Sequence, residues 1–313
     1  MADRPGTRWI GPQFAGLSLA GGSGYLFMTI ALTGMSFTQV VWTRAILGAA
    51  ALLCAAVFSI RIRLPCRAAA WVHLTVLAIT NLVMPYLLLS WAQQYITSSL
   101  ASVYNATTPI MTVIWAALIF GIERLRIIQV VGLMLGIVGV SVIMAPWQSG
   151  DVRADFWGSA ACLLATASFG FSFAYIRKFV QPEELPGASL SVLMTCIAAV
   201  IMLVLTPVVA LSPVQLDWAV VTAIIVLGVF GSGLAVLWSL NVIRGWGASV
   251  ASSSLYLAPV IGIVLGVLVL GETISWNQLT GAAITLLALV FIQPAGVIRL
   301  RLLTNRKPLS ETD

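Results

Sequence analysis

Residues 101–123 read ASVYNATTPIMTVIWAALIFGIE, and residues 251–272 read ASSSLYLAPVIGIVLGVLVLGE. Laid together, they match Ala101 with Ala251, Ser102 with Ser252, Pro109 with Pro259 and Gly121 with Gly271. One inserted residue, Ile122, then brings Glu123 onto Glu272, Gln129 onto Gln278 and Gly132 onto Gly281. Apolar composition alone does not place Pro, Gly, Glu and Gln in the same order twice. The chain therefore contains a repeat, and the copies lie about half its length apart.

Composition sets the environment of that repeat. Hydrophobic residues make up 60% of the 313 and charged residues 8%, with a mean hydropathy of +1.04. Soluble domains carry about a quarter charged residues, so this is an integral protein of a lipid bilayer. The pI near 9.5 arises from short basic clusters between apolar spans. There is no basic stripe with interleaved aromatics, and nucleic acid is not an expected partner. Cys54, Cys66, Cys162 and Cys196 have no CxxC spacing and three lie within apolar spans, which favours packing over metal or disulfide chemistry.

A helix crosses the hydrocarbon core with about 20 apolar residues. Charges, Gly and Pro divide the chain into ten such stretches, at 14–32, 38–60, 70–92, 98–120, 126–145, 156–177, 187–210, 218–241, 248–270 and 276–294. Arg4 and Arg8 ahead of the first stretch also suit a signal peptide, but its length and the lack of an A-x-A site assign it as an uncleaved helix. Lys and Arg concentrate in cytoplasmic loops. With a cytoplasmic N-terminus, 14 of the 16 basic residues fall on the inner side; Arg153 lies in an outer loop and Arg44 within the second span. Both termini are thus expected in the cytoplasm of a bacterial-type inner membrane, with 295–313 as a basic cytoplasmic tail.

The repeat closes each of two five-helix halves, 14–145 and 156–294. Five is odd, so the halves cross the membrane in opposite senses. The expected fold is an all-α polytopic membrane protein of ten transmembrane helices, built as two inverted five-helix repeats, an architecture linked to alternating access around a central site.

The two stretches resemble signatures of the EamA-type transporters of the drug/metabolite transporter superfamily. So do AGLSLAGGSGYLFMTIALTGMSFTQVVWTRAILGAAALL and GSAACLLATASFGFSFAYIRKFV, which open the two halves, and the resemblance covers roughly residues 14 to 294. It implies a ten-helix exporter or exchanger whose central cavity is lined by the first, third, fourth, sixth, eighth and ninth helices. Members similar to this chain often move amino acids and related metabolites. Many members carry Trp-Gly in the first helix, where this chain has Gly21-Gly22; Phe169-Gly170 takes that place in the sixth.

At 100° per residue, Ser102, Asn105, Thr108 and Thr112 of the fourth helix share one arc, with Trp115 beside it. A polar arc is unfavourable in lipid and is expected to face the protein interior. Pro109 interrupts this helix and frees a carbonyl near the midplane, and Pro259 sits beside Ser252 and Tyr256 in the ninth. Asn81, Met84, Trp91 and Tyr95 share a face of the third helix, and Ser18, Gly22, Tyr25 and Thr29 one of the first. Phe169 and Phe173 mark the sixth helix, and Ser232 and Trp238 the eighth.

The candidate substrate-binding residues are therefore Tyr25, Asn81, Trp91, Asn105, Thr108, Trp115, Phe169, Ser232, Trp238, Ser252 and Tyr256, with Gly22, Pro109, Gly170 and Pro259 as hinge or gate positions. The plainer reading of any one Ser or Thr is interhelical packing. That role is assigned to Gly132, Gly136, Gly139, Gly262 and Gly266, and Trp9, Trp71, Trp147, Trp157, Trp218 and Trp276 are read as membrane-interface residues.

No acid lies at the centre of a span; Glu123 and Glu272 sit at helix ends. Ion-driven carriers commonly bury a carboxylate, so facilitated diffusion or exchange is expected. Arg44 is a candidate for attracting a substrate carboxylate, but structural anchoring to an acid such as Glu272 is the favoured reading. No catalytic residue, metal site or cofactor is expected: His73 is the sole histidine and its role is read as incidental. The expected function is a secondary transporter of amino acids or related small metabolites, by export or facilitated exchange. Drugs and nucleotide-type metabolites are the alternative substrates, and a membrane enzyme or receptor the disfavoured class. A monomer is compatible with this reading.

Overall fold

The computed structural model describes residues 10–59, 62–122, 126–144, 152–180, 186–209, 212–235, 238–239, 242 and 248–292. Among these residues there is no strand. The membrane-crossing helices are α1 (Ile10–Leu32), α2 (Phe37–Ser59), α3 (Ala68–Ala92), α4 (Ser98–Ile119) and α5 (Ile127–Met144) in the first half. In the second they are α6 (152–180), α7 (Gly187–Val204), α8 (Trp218–Leu234), α9 (Ala248–Leu270) and α10 (Trp276–Ile292). Ten elements thus stand where ten spans were expected. Helices are the outcome that lipid permits for an open chain, because every backbone N–H and C=O must be paired within the segment.

Local chemistry fixes the ends. The Thr97 hydroxyl accepts from the Leu100 N–H at 3.3 Å to cap α4, and the Asp217 carboxylate accepts from the Val220 N–H at 2.7 Å to cap α8. Gly121 and Gly271 close α4 and α9 at φ of 62° and 65°. Each permits the same return bond, from the Ile122 N–H to the Ala116 carbonyl (2.8 Å) and from the Glu272 N–H to the Gly266 carbonyl (3.1 Å). The repeat seen in sequence is here a repeated helix stop.

Several helices are not α-helical throughout. A π-helical segment occupies Ala78–Val83 in α3, another Trp115–Ile119 in α4, and others Ile176–Val180 and Val226–Leu234 in α6 and α8. Each shifts the faces of its helix relative to an even 3.6-residue period. α4 also breaks at Ala106 and Thr107, just before Pro109.

The principal helix pairs recur when the halves are exchanged. α1 lies on α9 as α6 lies on α4; α2 lies on α8 as α7 lies on α3; α3 lies on α6 as α8 lies on α1. The pairs α5–α10, α4–α9 and α2–α7 map onto themselves. Close helix approach is made by glycine. A Cβ on Gly22 of α1 would stand 2.7 Å from the Ala258 carbonyl oxygen and meet Ile261 of α9. One on Gly170 of α6 would stand 2.7 Å from the Met111 carbonyl carbon and Cβ in α4. Met111 and Ile261 are repeat partners, so the same junction is built twice. Gly136 and Gly139 of α5 and Gly262 and Gly266 of α9 are likewise closed in by neighbouring helices.

A central core joins Met28, Leu89, Ala101, Tyr104, Cys162, Ala165, Val220 and Leu227, and a second cluster seals α2, α3 and α7 around Val41, Ala78 and Met202. The outer faces carry apolar side chains, and Trp71, Trp157, Trp218 and Trp276 are exposed near helix ends. Trp9 and Trp147 lie outside the described residues. Packing describes Cys162 and Cys196, whereas Cys54 and Cys66 are exposed.

Candidate functional site

A cavity of about 140 Å³ opens between the halves, close to the roughly 150 Å³ that admits benzene in an engineered protein cavity. α1 supplies Ala20, Gly21, Gly24, Tyr25 and Met28; α2 supplies Arg44; α3 supplies Tyr86 and Leu89. Asn105 of α4, Phe169 of α6 and Gly231 of α8 are the other described residues of the wall. Glycines on α1 leave room for the space, aromatic rings form its sides, and a guanidinium, an amide and two phenols supply its polar chemistry.

The π-helical segments aim these groups. After Ala78–Val83, α3 presents Tyr86, whose ring meets Phe169 edge-on at 5.7 Å. The Val226–Leu234 segment brings Ser232 to Arg44: the Arg44 Nε donates to the Ser232 Oγ at 3.0 Å, and that hydroxyl lies 3.3 Å from the Leu227 carbonyl. The Arg44 Cζ lies 3.7 Å from the centroid of the Tyr86 ring, a cation–π contact that also holds the guanidinium plane.

Three candidates from the sequence, Tyr25, Asn105 and Phe169, come together in this wall. Ser232 touches it through Arg44 and lines a void of about 20 Å³ behind it, with Leu82, Thr195 and Met202. The others go elsewhere. Thr108 is buried, and its hydroxyl donates to the Asn105 carbonyl at 2.8 Å. That carbonyl is the one deprived of its partner by Pro109, so the carbonyl expected to be free for substrate is satisfied internally. Trp115 donates its indole N–H to the Ala167 carbonyl at 2.9 Å and meets Phe171 edge-on, bracing α4 against α6. Ser102 bonds the Ser99 carbonyl at 2.7 Å and packs on Gly262.

Trp91 packs against the central core and stands 4.9 Å from the Tyr95 ring; neither lines the cavity, nor does Asn81 within its π segment. Trp91 and Tyr95 keep their i, i+4 neighbourhood, while the π segment shifts Asn81 out of register with them. Trp238 covers Gly16, where a Cβ would come 2.7 Å from the indole. Gly22 and Gly170, expected as hinges, are contact points without room for a methyl group. Pro259 lies inside an uninterrupted helix. The side chains of Ser252 and Tyr256 lie outside the described residues.

Arg44 is the principal correction. The favoured reading from sequence is an anchor to an acid such as Glu272, with attraction of a substrate carboxylate as the alternative. Glu272 instead receives the Ser98 N–H and hydroxyl, each at 2.8 Å, and the Ser99 N–H at 2.9 Å, together with the Ser99 hydroxyl. It thereby ties the end of α9 to the N-terminus of α4, where a negative charge is favoured. Arg44 faces the cavity. Tyr86 and Arg44 are the functional candidates that periodicity missed; an intramembrane charge was the available signal for one, while a π segment hid the other. His73 accepts or donates a 2.7 Å bond with the Tyr175 hydroxyl and stacks on Phe179, away from the cavity.

A model of the EamA-like transporter family matches residues 13–145 and again residues 156–293. The chain belongs to the EamA-like transporter family. It is 25% identical over 201 residues to the protein named "Uncharacterized inner membrane transporter YedA" of Escherichia coli K12, a match covering 64% of this chain and 63% of that one. It is 28% identical over 208 residues to the "Probable terminal-alkyne amino-acid exporter" of Streptantibioticus cattleyicolor, covering 66% and 67%. The matched stretch thus spans less than two thirds of the Escherichia coli relative. A solved crystal structure shares the fold at a TM-score of 0.61 and 19% identity, over 96% of this chain and 99% of that one. This EamA-like protein is a multi-pass membrane protein.

Proposed function

We propose that the protein moves amino acids or related small metabolites across a bacterial-type inner membrane by alternating access, as an exporter or facilitated exchanger, with both termini in the cytoplasm. The observation that carries this reading is the cavity between the halves, with aromatic walls and a few convergent polar groups, the usual make-up of a small-molecule site. The name of the Streptantibioticus relative points to the same substrate class.

The recurrence of the principal helix pairs in both halves supports this mechanism. Glu272 ties α9 to the start of α4 at one end of the bundle. If the halves trade conformations, the opposite end closes and this end opens, with no new fold required. The paired contacts at Gly22 and Gly170 keep α1 on α9 and α6 on α4 as these pairs rock. Cationic drugs fit poorly, because Arg44 sets a positive charge in the wall and no acid stands among the lining residues described.

Purified protein in liposomes should carry labelled amino acids down their gradients, with little change under an imposed pH gradient. Asn105→Ala should lower that flux several-fold while the variant still inserts. Absence of flux across a broad amino-acid panel would overturn the proposal.

A further inference from the structure

The buried guanidinium points to what the site reads on its cargo. Arg44 is 7% exposed, and its two assigned partners, Ser232 and Tyr86, carry no negative charge. Among the described residues no carboxylate pairs with it, and Glu272 is engaged at Ser98 and Ser99. The Ser232 Oγ accepts from the Nε–H, leaving the N–H groups of the two terminal nitrogens without a protein acceptor among the described residues. Arg44 lines both an apolar void of about 20 Å³, room for little more than one water, and the central cavity of about 140 Å³.

A buried charge with no counter-ion is unfavourable, and a ligand of opposite charge relieves it. The planar fork of arginine matches a carboxylate through two parallel bonds. Tyr86 and Ser232 hold that fork in one plane before any ligand arrives, which reduces the ordering cost of binding. An ammonium has no charged equivalent: the wall described offers it only neutral acceptors, the Asn105 amide oxygen and the Tyr25 and Tyr86 hydroxyls, with ring faces, all within the field of Arg44. We propose that Arg44 binds the carboxylate of the transported solute, and that the site selects for this anionic group while dispensing with the amine. The proposal rests on the transport reading of the same cavity and narrows its substrate class to small carboxylates with an apolar or aromatic body.

Three probes of one skeleton separate the two charges: L-leucine, 2-hydroxy-4-methylpentanoate, which keeps the carboxylate and replaces the ammonium by a hydroxyl, and L-leucinamide, which lacks the carboxylate. In proteoliposomes the hydroxy acid should match or exceed leucine in half-saturation, and leucinamide should be weaker by roughly tenfold or more, as expected when a charged hydrogen-bond partner is lost. Arg44→Gln should raise the half-saturating concentration of both acids by a similar factor and leave that of leucinamide unchanged. Arg44→Lys, which keeps the charge without the fork, should fall between.

Wild-type protein that carries leucinamide as well as leucine would overturn the inference and leave the transport reading standing. So would an Arg44→Gln variant, intact in membrane insertion and melting temperature, that weakens all three probes alike, the mark of a purely structural role. If Arg44→Gln fails to insert, the wild-type ranking and Arg44→Lys decide. If no probe crosses at all, the transport reading falls, and ligand-induced melting shifts decide the inference. A shift with the hydroxy acid that is absent with leucinamide supports it; no shift with the hydroxy acid overturns it.

Discussion

Helices α2 and α7 occupy equivalent places in the two halves, yet the eighth residue of one is Arg44 and of the other Met194. The first faces the cavity; the second packs into the apolar cluster between α2, α3 and α7. Around them the packing is paired, Gly22 on Ile261 and Gly170 on Met111. These junctions follow the symmetry of the repeat, while the charge does not, nor does the backbone of α4, which breaks where α9 runs on. Junctions built twice let the halves trade conformations, and asymmetric chemistry lets a single solute bind in one orientation.

The strongest way to break this comparison is to fill the paired junctions. Gly22→Leu and Gly170→Leu should each destabilise the protein by about 3 kcal/mol, because the added atoms meet backbone that cannot yield. Melting of the purified variants measures this, and clearly unequal losses would show that the two junctions are not equivalent. Next, Glu272→Ala removes the acceptor for four donors at the start of α4. A loss of about 2 kcal/mol is expected from charged bonds to partly buried donors, with faster labelling of a cysteine placed at Leu100. Unchanged labelling would separate this tie from opening of that end.

The smallest effect tests the prolines. Pro109 is preceded by Thr108, whose hydroxyl fills the orphaned Asn105 carbonyl; Pro259 is preceded by Ala258, with no hydroxyl to give. Thr108→Ala makes the first site resemble the second and should cost about 1 kcal/mol, the net worth of one hydrogen bond. A variant as stable as the parent would mean that the break at Ala106 and Thr107 leaves the carbonyl satisfied by other means.

Much of the architecture was legible because lipid imposes it. Twenty-residue apolar spans, the Gly121 and Gly271 stops and the offset between the two prolines are one-dimensional features with one outcome in a bilayer. The site was less legible. Tyr25, Asn105 and Phe169 lie in the wall, but Asn81 sits in a π segment of α3 that shifts the register the spacing assumed, and Trp91 packs on the core and on Tyr95. Thr108 and Trp115 were polar for reasons internal to α4 and its contact with α6.

By itself the sequence determined the bilayer, the ten helices and their arrangement as two copies of opposite sense, since hydropathy, charge alternation and an odd repeat leave little freedom. Only the tertiary structure decided which polar groups meet. Arg44 and Tyr86 are 42 residues apart in sequence, and Arg44 and Ser232 are 188 apart. Their meeting depends on glycine-limited helix approach and on π segments that rotate a face, both three-dimensional consequences of packing that no local pattern encodes.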